Sequence, residues 1–224
     1  MSKTKVFFDT KFTGLHKNTT LISIGLVSEC GKTFYAELTD YDASPNYGWT
    51  NRAEVIGNLI YPLGHVDGCV LEEETPRNFT VYGTTLYVKL HLSEWLSQFE
   101  QIEIWSDCLA YDWVLFNNIF GTAFDIPKNV YYIPFDICTL FKIKGIDADI
   151  SREAFIGNAV KGNKHNALYD AKVIKSCYEK LTNQRFSIRP QLFHKRQVQS
   201  HRKTQSSSQG IKRNCLDCKQ RYDL

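Results

Sequence analysis

The chain has 224 residues, 43% hydrophobic and 13% aromatic, enough for one sizeable core plus an appendage. No apolar run approaches the ~20 residues that span a bilayer, and the N-terminus MSKTKVFFDT turns charged too soon for a secretion signal, so a cytoplasmic protein without a membrane partner is expected. The net charge of +3 conceals an acidic body, net −5 over residues 1–184, and a basic tail, net +8 over residues 185–224; the first suits a carboxylate-lined site, and the second suits either a phosphate-bearing partner or a solvated tail with none.

In chain order, residues 4–10 (TKVFFDT) form an apolar run ending in a polar turn and predict a buried strand. Residues 20–28 and 33–39 are β-rich, with a tight turn at Glu29-Cys30-Gly31-Lys32 between them, so the first three strands predict an antiparallel meander. Residues 41–90 carry Pro62, Gly64, Gly68 and the run Glu72-Glu73-Glu74; they read as a long irregular insertion with a weak helical pattern over 49–60. Residues 86–99 predict a helix, with Leu86, Leu90, Leu92, Trp95, Leu96 and Phe99 as its apolar side. Strand and helix then alternate: a strand at 102–106, a helix at 112–120, a strand at 130–133 and a short helix at 135–141 opened by Asp136. Residues 165–181 are the clearest helix, with Leu168, Ala171, Ile174, Tyr178 and Leu181 on one stripe. The order predicts an α/β fold, a mixed sheet flanked by helices. Five of the seven cysteines are scattered singly, which suits reduced thiols rather than a disulfide framework.

Four positions carry candidate chemistry. Asp9 closes the first strand, Asp112 opens the helix after strand 102–106, and Asp170 lies five residues after His165. Three carboxylates from distant parts of a chain can converge on hard divalent cations. Two such ions stabilise the attacking and leaving oxygens in phosphodiester cleavage, and a neutral His nearby can take a proton from water. Singly, each has a plain structural explanation: Asp112 and Asp136 as helix N-caps, and His165 as a capping or surface histidine.

Together they resemble the three motifs of the DEDDh 3′–5′ exonucleases of the RNase H-like fold, the group that includes RNase T, oligoribonuclease and polymerase proofreading subunits. Asp9-Thr10-Lys11-Phe12-Thr13-Gly14-Leu15 is similar to the first motif, Asp-Thr-Glu followed by Thr-Gly-Leu. Asp107-Cys108-Leu109-Ala110-Tyr111-Asp112 is similar to the second, with Asp107 where Asn is usual, and His165-Asn166-Ala167-Leu168-Tyr169-Asp170-Ala171 matches the third. LISIGLVSECGKTFYAEL and IEIWSDCLAYDWVLF are similar to the small bacterial exoribonucleases of the RNase AS type. The resemblance spans about residues 4–182. It implies an exonuclease domain over residues 1–184 that releases nucleoside 5′-monophosphates from the 3′ end of single-stranded RNA or DNA. It also implies two Mg²⁺ or Mn²⁺ ions held by Asp9, Asp112 and Asp170, with His165 as general base. Thr13, Gly14 and Leu15 would hold the terminal nucleotide, Asp136 would be structural, and a homodimer is expected.

Position 11 departs from the motif, since Lys11 stands where the family has a metal-binding glutamate. A unit charge ~4 Å away is worth ~4 kcal/mol at an effective dielectric of ~20, so reversing it weakens one metal site badly. Alternatively the ammonium takes that site itself, neutralising Asp9 and Asp170 as a cation would. Three readings stay open: an exonuclease that is active or only weakened by Lys11, an inactive homologue that binds nucleic-acid 3′ ends, and an otherwise intact enzyme in which Lys11 is an altered position.

The tail, residues 185–224, is basic throughout, with a linker-like TQSSSQG stretch. It is expected to be flexible and to add salt-dependent, sequence-independent affinity for RNA or DNA. Cys215 and Cys218 are spaced like half a zinc knuckle, which His194 and His201 could complete, although their spacing fits no common finger.

Overall fold

The computed structural model describes residues 3–43, 54–61, 70–75 and 78–183. The tail beyond, with Cys215, Cys218, His194 and His201, lies outside the described residues, as do parts of the 41–90 segment.

β1 (Thr4–Phe12) is buried on both faces: Val6 and Phe8 enter one core, and Phe7, between them, enters the other. β2 (Leu21–Ser28) is buried along its whole length, and β3 (Thr33–Leu38) follows through a tight turn where Gly31 has φ +87°, a conformation glycine adopts without strain. β1, β2 and β3 pair antiparallel in sequence, as the expected meander requires.

The segment expected to be irregular contains two strands. β4 (Val70–Thr75) and β5 (Asn78–Gly83) form an antiparallel pair, and β5 lies parallel to β3, so together they extend the sheet. The first residues of the helical pattern predicted over 49–60 lie outside the described residues; within the rest, a single helical turn covers 54–56. α1 (Thr85–Ser97) buries Val88, Leu92, Trp95 and Leu96. Its start is held by Asp40, whose carboxylate accepts from the Thr85 backbone N–H at 3.0 and 2.9 Å and from the Thr85 hydroxyl at 3.0 Å.

β6 (Ile102–Ser106) runs parallel to β1 and leads into α2 (Ala110–Phe120). The strand expected over 130–133 is reduced to one bridge, Val130 to Ile102. The edge partner of β6 is instead β7 (Phe135–Asp136), followed directly by α3 (Ile137–Ile143). A five-residue helix α4 (Arg152–Ile156) and the long α5 (Ala167–Asn183) complete the domain.

The result is a seven-stranded mixed sheet in the order β4-β5-β3-β2-β1-β6-β7. α1 and α2 cover one face, where Leu92, Trp95, Leu115 and Phe116 meet Val6, Phe8, Ile24 and Leu26. α3 and α5 cover the other, where Ile137, Phe141, Ile174 and Leu181 meet Phe7 and Val27. Burying each such side chain contributes ~1.5–3 kcal/mol. Among the described residues no helix is long and apolar enough to cross a membrane.

Candidate active site

The expected acidic residues gather at the end of β1. Asp9 and Lys11, two residues apart on a strand, point to the same side of the sheet. Thr10 points to the other, where α2 brings up Asp112. The Asp112 Oδ1 accepts from the Thr10 backbone N–H at 3.0 Å and from the Thr10 hydroxyl, and its Oδ2 accepts from the Ser106 hydroxyl at 3.1 Å. β1 and β6 are adjacent and parallel, so the residues that follow each strand come out side by side.

Asp170 arrives in the first turn of α5, where a helix N-terminus favours negative charge. Its approach to β1 depends on Gly25, which pairs with Asp9 across β1 and β2. A Cβ at Gly25 would lie 2.3 Å from the Leu168 backbone nitrogen and 2.4 Å from the Ala167 carbonyl carbon. Only glycine lets the start of α5 sit directly on the strand.

Lys11 fills the space between the two carboxylates. Its Nζ lies 2.7 Å from Asp9 Oδ2 and 2.6 Å from Asp170 Oδ2, with all three side chains 14–18% exposed. Burial pushes the Asp9 carboxyl well above the usual carboxylate range; Lys11 opposes this, and the charges of Asp112 and Asp170 add to it. Burial also raises Asp112, to about 6, against the hydrogen bonds from Thr10 and Ser106. For Lys11, burial alone would favour the neutral amine, but Asp9 and Asp170 outweigh it and hold the ammonium charged.

His165 precedes α5 rather than belonging to it, in a left-handed conformation (φ 69°). The next residue explains the break. The Asn166 side-chain oxygen accepts from the Leu168 and Tyr169 backbone N–H groups, both at 3.1 Å, and so caps the helix. Its amide nitrogen donates to the Tyr35 hydroxyl at 3.3 Å and to the Asn58 carbonyl at 3.2 Å. Tyr35 donates to the buried Glu37 at 2.6 Å, and Glu37 also receives the backbone N–H groups of Ile60 and Tyr61 at 2.5 and 3.0 Å. This network fastens residues 58–61 beside the His165 turn, and Glu54 comes within 3.5 Å of the His165 Nε2. Neither Glu37 nor Glu54 carries a motif that would single it out in the sequence.

The Thr13-Gly14-Leu15 turn is closed on itself. Thr13 N–H donates to the Thr20 carbonyl at 3.0 Å and Gly14 N–H to the Thr19 hydroxyl at 3.2 Å. Thr13 is buried, whereas Leu15 is 71% exposed. Phe12 stacks on Tyr111, centroids 5.4 Å apart and planes at 17°, so an aromatic pair missed in the sequence borders the acidic cluster. Two other acids are structural. Asp136 caps α3, accepting from the Cys138 backbone N–H at 3.1 Å, and Asp107 is held bidentately by Arg152 at 2.7 and 2.8 Å.

Comparison with known proteins agrees with this architecture. Residues 72–182 match the 3′–5′ exoribonuclease Rv2179c-like domain. The 3′–5′ exoribonuclease Rv2179c of Mycobacterium tuberculosis is 25% identical over 170 residues, 75% of this chain and 87% of that protein. Among solved structures, the Mg²⁺- and Mn²⁺-bound form of S. pombe Pop2p superposes with a TM-score of 0.58 at 14% identity, over 81% of this chain and 84% of that one. A 3′-exonuclease described in 3′-end-specific recognition of a histone mRNA stem-loop gives 0.53 at 12% identity, over 80% of this chain and 63% of that one. These two likenesses speak to the fold, which is RNase H-like. By sequence over residues 72–182 the protein is similar to the Rv2179c-like 3′–5′ exoribonucleases, and its mixed sheet has the RNase H-like fold.

Proposed function

We propose that the chain is a metal-dependent 3′–5′ exonuclease acting on single-stranded RNA, releasing nucleoside 5′-monophosphates, with its activity lowered by Lys11. The observation that carries this reading is the convergence of Asp9, Asp170 and Asp112 on the end of β1, where the first two already grip a cation between them. Three carboxylates suit a hard divalent ion, and a seat that holds an ammonium at 2.7 and 2.6 Å is one that Mg²⁺ or Mn²⁺ competes for. Asp9, Asp112 and Asp170 would hold the ions, which when bound stabilise charge on the attacking and leaving oxygens of the phosphodiester.

The chain's own groups do the rest. His165 accepts the proton of the attacking water, and Glu54, 3.5 Å from its Nε2, steadies the imidazolium that results. Leu15, held out by the closed Thr13-Gly14 turn, offers an apolar surface to the terminal base, and the Phe12–Tyr111 stack borders the approach. RNA is preferred because the relatives matched in sequence are exoribonucleases.

The Lys11 pairs favour a second reading, a silent homologue that binds RNA 3′ ends without cutting. The test uses 5′-labelled single-stranded RNA and DNA with the native chain and Lys11→Glu, in Mn²⁺ and in EDTA. A metal-dependent ladder from the 3′ end that is faint for the native chain and strong for Lys11→Glu is the expected result. Binding without cleavage by both chains gives the second reading; neither binding nor cleavage overturns both.

A further inference from the structure

Away from the acidic cluster, Cys108 and Cys138 stand 3.5 Å apart, sulfur to sulfur. Cys108 is exposed, in the turn between β6 and α2, with a left-handed backbone (φ 52°). Cys138 is half-buried in the first turn of α3. Arg152, from α4, reaches Cys138 and Asp107. Its guanidinium holds the two oxygens of Asp107, donates to Cys138 Sγ at 3.2 Å, and is fixed by the carbonyls of Ala148 and Ile150 at 2.8 and 2.6 Å. The Cys138 thiol donates to Asp107 Oδ1 at 3.0 Å.

Asp107, Cys108 and Cys138 are close enough to ligate a metal, but the guanidinium already engages both Asp107 oxygens and Cys138, and a second cation there would meet its charge. At the exposed Cys108 the same cation favours the thiolate, while the carboxylates of Asp107 and Asp136 oppose it. At 3.5 Å the sulfurs are in contact, and side-chain rotation has only about 1.5 Å to close to the length of an S–S bond.

We propose that Cys108 and Cys138 are a peroxide-oxidised dithiol that closes to a disulfide and reopens with thiol reductants. The Cys108 sulfur attacks one oxygen of hydrogen peroxide; an S–O bond forms, the O–O bond breaks, and the departing hydroxide takes a proton to leave as water. The Cys138 sulfur then attacks Cys108; the S–S bond forms, the S–O bond breaks, and the hydroxide leaves with the Cys138 proton as a second water. Two thiols and one peroxide give one disulfide and two waters. The contact with Cys138 lowers the Cys108 pKa against its burial, whereas that contact, burial and Asp107 raise the Cys138 pKa, which fits Cys108 as the first attacker on peroxide. The link ties the turn leading into α2, the helix of Asp112, to the start of α3.

The test is a peptide map of the full chain after mild hydrogen peroxide and alkylation of remaining thiols. The expected product joins the Cys108 and Cys138 peptides, about 2 Da lighter than the two separately, and dithiothreitol releases it. In Cys138→Ser the sulfenic acid at Cys108 persists and takes up dimedone. Mapping separates this bond from one involving Cys215 and Cys218. Three results overturn the proposal: both peptides remain freely alkylated, Cys108 pairs with another cysteine, or both thiols resist alkylation until a chelator is added, which reports a bound metal.

Discussion

Replacing Lys11 with methionine keeps most of its apolar stem and removes its charge. At 2.7 and 2.6 Å, each ion pair is worth a gross attraction of about 6 kcal/mol at an effective dielectric of ~20. Much of that is offset by taking the three groups out of water, but removing one partner leaves the cost without the gain, typically ~3–5 kcal/mol. For a domain of this size each kcal/mol moves the melting point by roughly 2–4 °C, so Lys11→Met should melt roughly 6–20 °C below the native chain in EDTA. The freed carboxylates should then take a divalent ion, and Mn²⁺ at a hundred times its Kd restores about 2.7 kcal/mol. Thermal melts followed by circular dichroism, in EDTA and in Mn²⁺, read both effects. Equal stability of the two chains in EDTA, or an equal Mn²⁺ shift in both, would refute the view that Lys11 occupies a cation seat.

Gly25→Ala places a methyl group 2.3 Å from the Leu168 nitrogen, so α5 must lift from β2 at a cost of ~1–3 kcal/mol or more; a urea melt of unchanged midpoint would contradict this. Asn166→Ala removes the α5 cap, about 1 kcal/mol, along with the bonds to Tyr35 and Asn58. Faster amide exchange at Leu168 and Tyr169 is expected, and unchanged protection there would count against the cap. Asp112 binds its proton more tightly folded (about 6) than at its ordinary value of 3.8, so its contribution is largest below that ordinary value and falls as pH rises towards 6. The fall amounts to about 3 kcal/mol and is read as native minus Asp112→Asn in urea melts in EDTA; a difference that stays flat or rises with pH contradicts it.

The convergence of Asp9, Asp112 and Asp170 was legible because motif order and strand ends constrain it, and so was a Lys11 that pairs with Asp9 and Asp170. What escaped was set by distant partners. Val70–Thr75 carries an acidic run that reads as solvated surface, yet it is a strand because β5 pairs with it and β3 carries β5. The 130–133 stretch has strand composition but gains only one bridge, since Phe135–Asp136 takes the edge beside β6. α4 is too short for periodicity to show. His165 falls within the helical pattern of α5, but the Asn166 cap fixes the helix start just beyond it. Glu37 sits mid-strand in TFYAEL, and only the folded contacts reveal a buried acid satisfied by Tyr35, Ile60 and Tyr61.

Lys11 is bonded into the strand that carries Asp9, so as a rival to metal it behaves as a tethered competitor rather than a dissolved one. Dialysis cannot strip it, and diluting the protein does not weaken it. Its hold is a fixed fraction of closed molecules, which divides the affinity of any incoming ion by a constant; each 1.4 kcal/mol of preference for the closed lysine multiplies the apparent Kd tenfold. The metal titration of the native chain therefore keeps the shape of the Lys11→Met curve and is displaced along the concentration axis. The length of that displacement is a direct reading of how firmly Asp9 and Asp170 hold the ammonium.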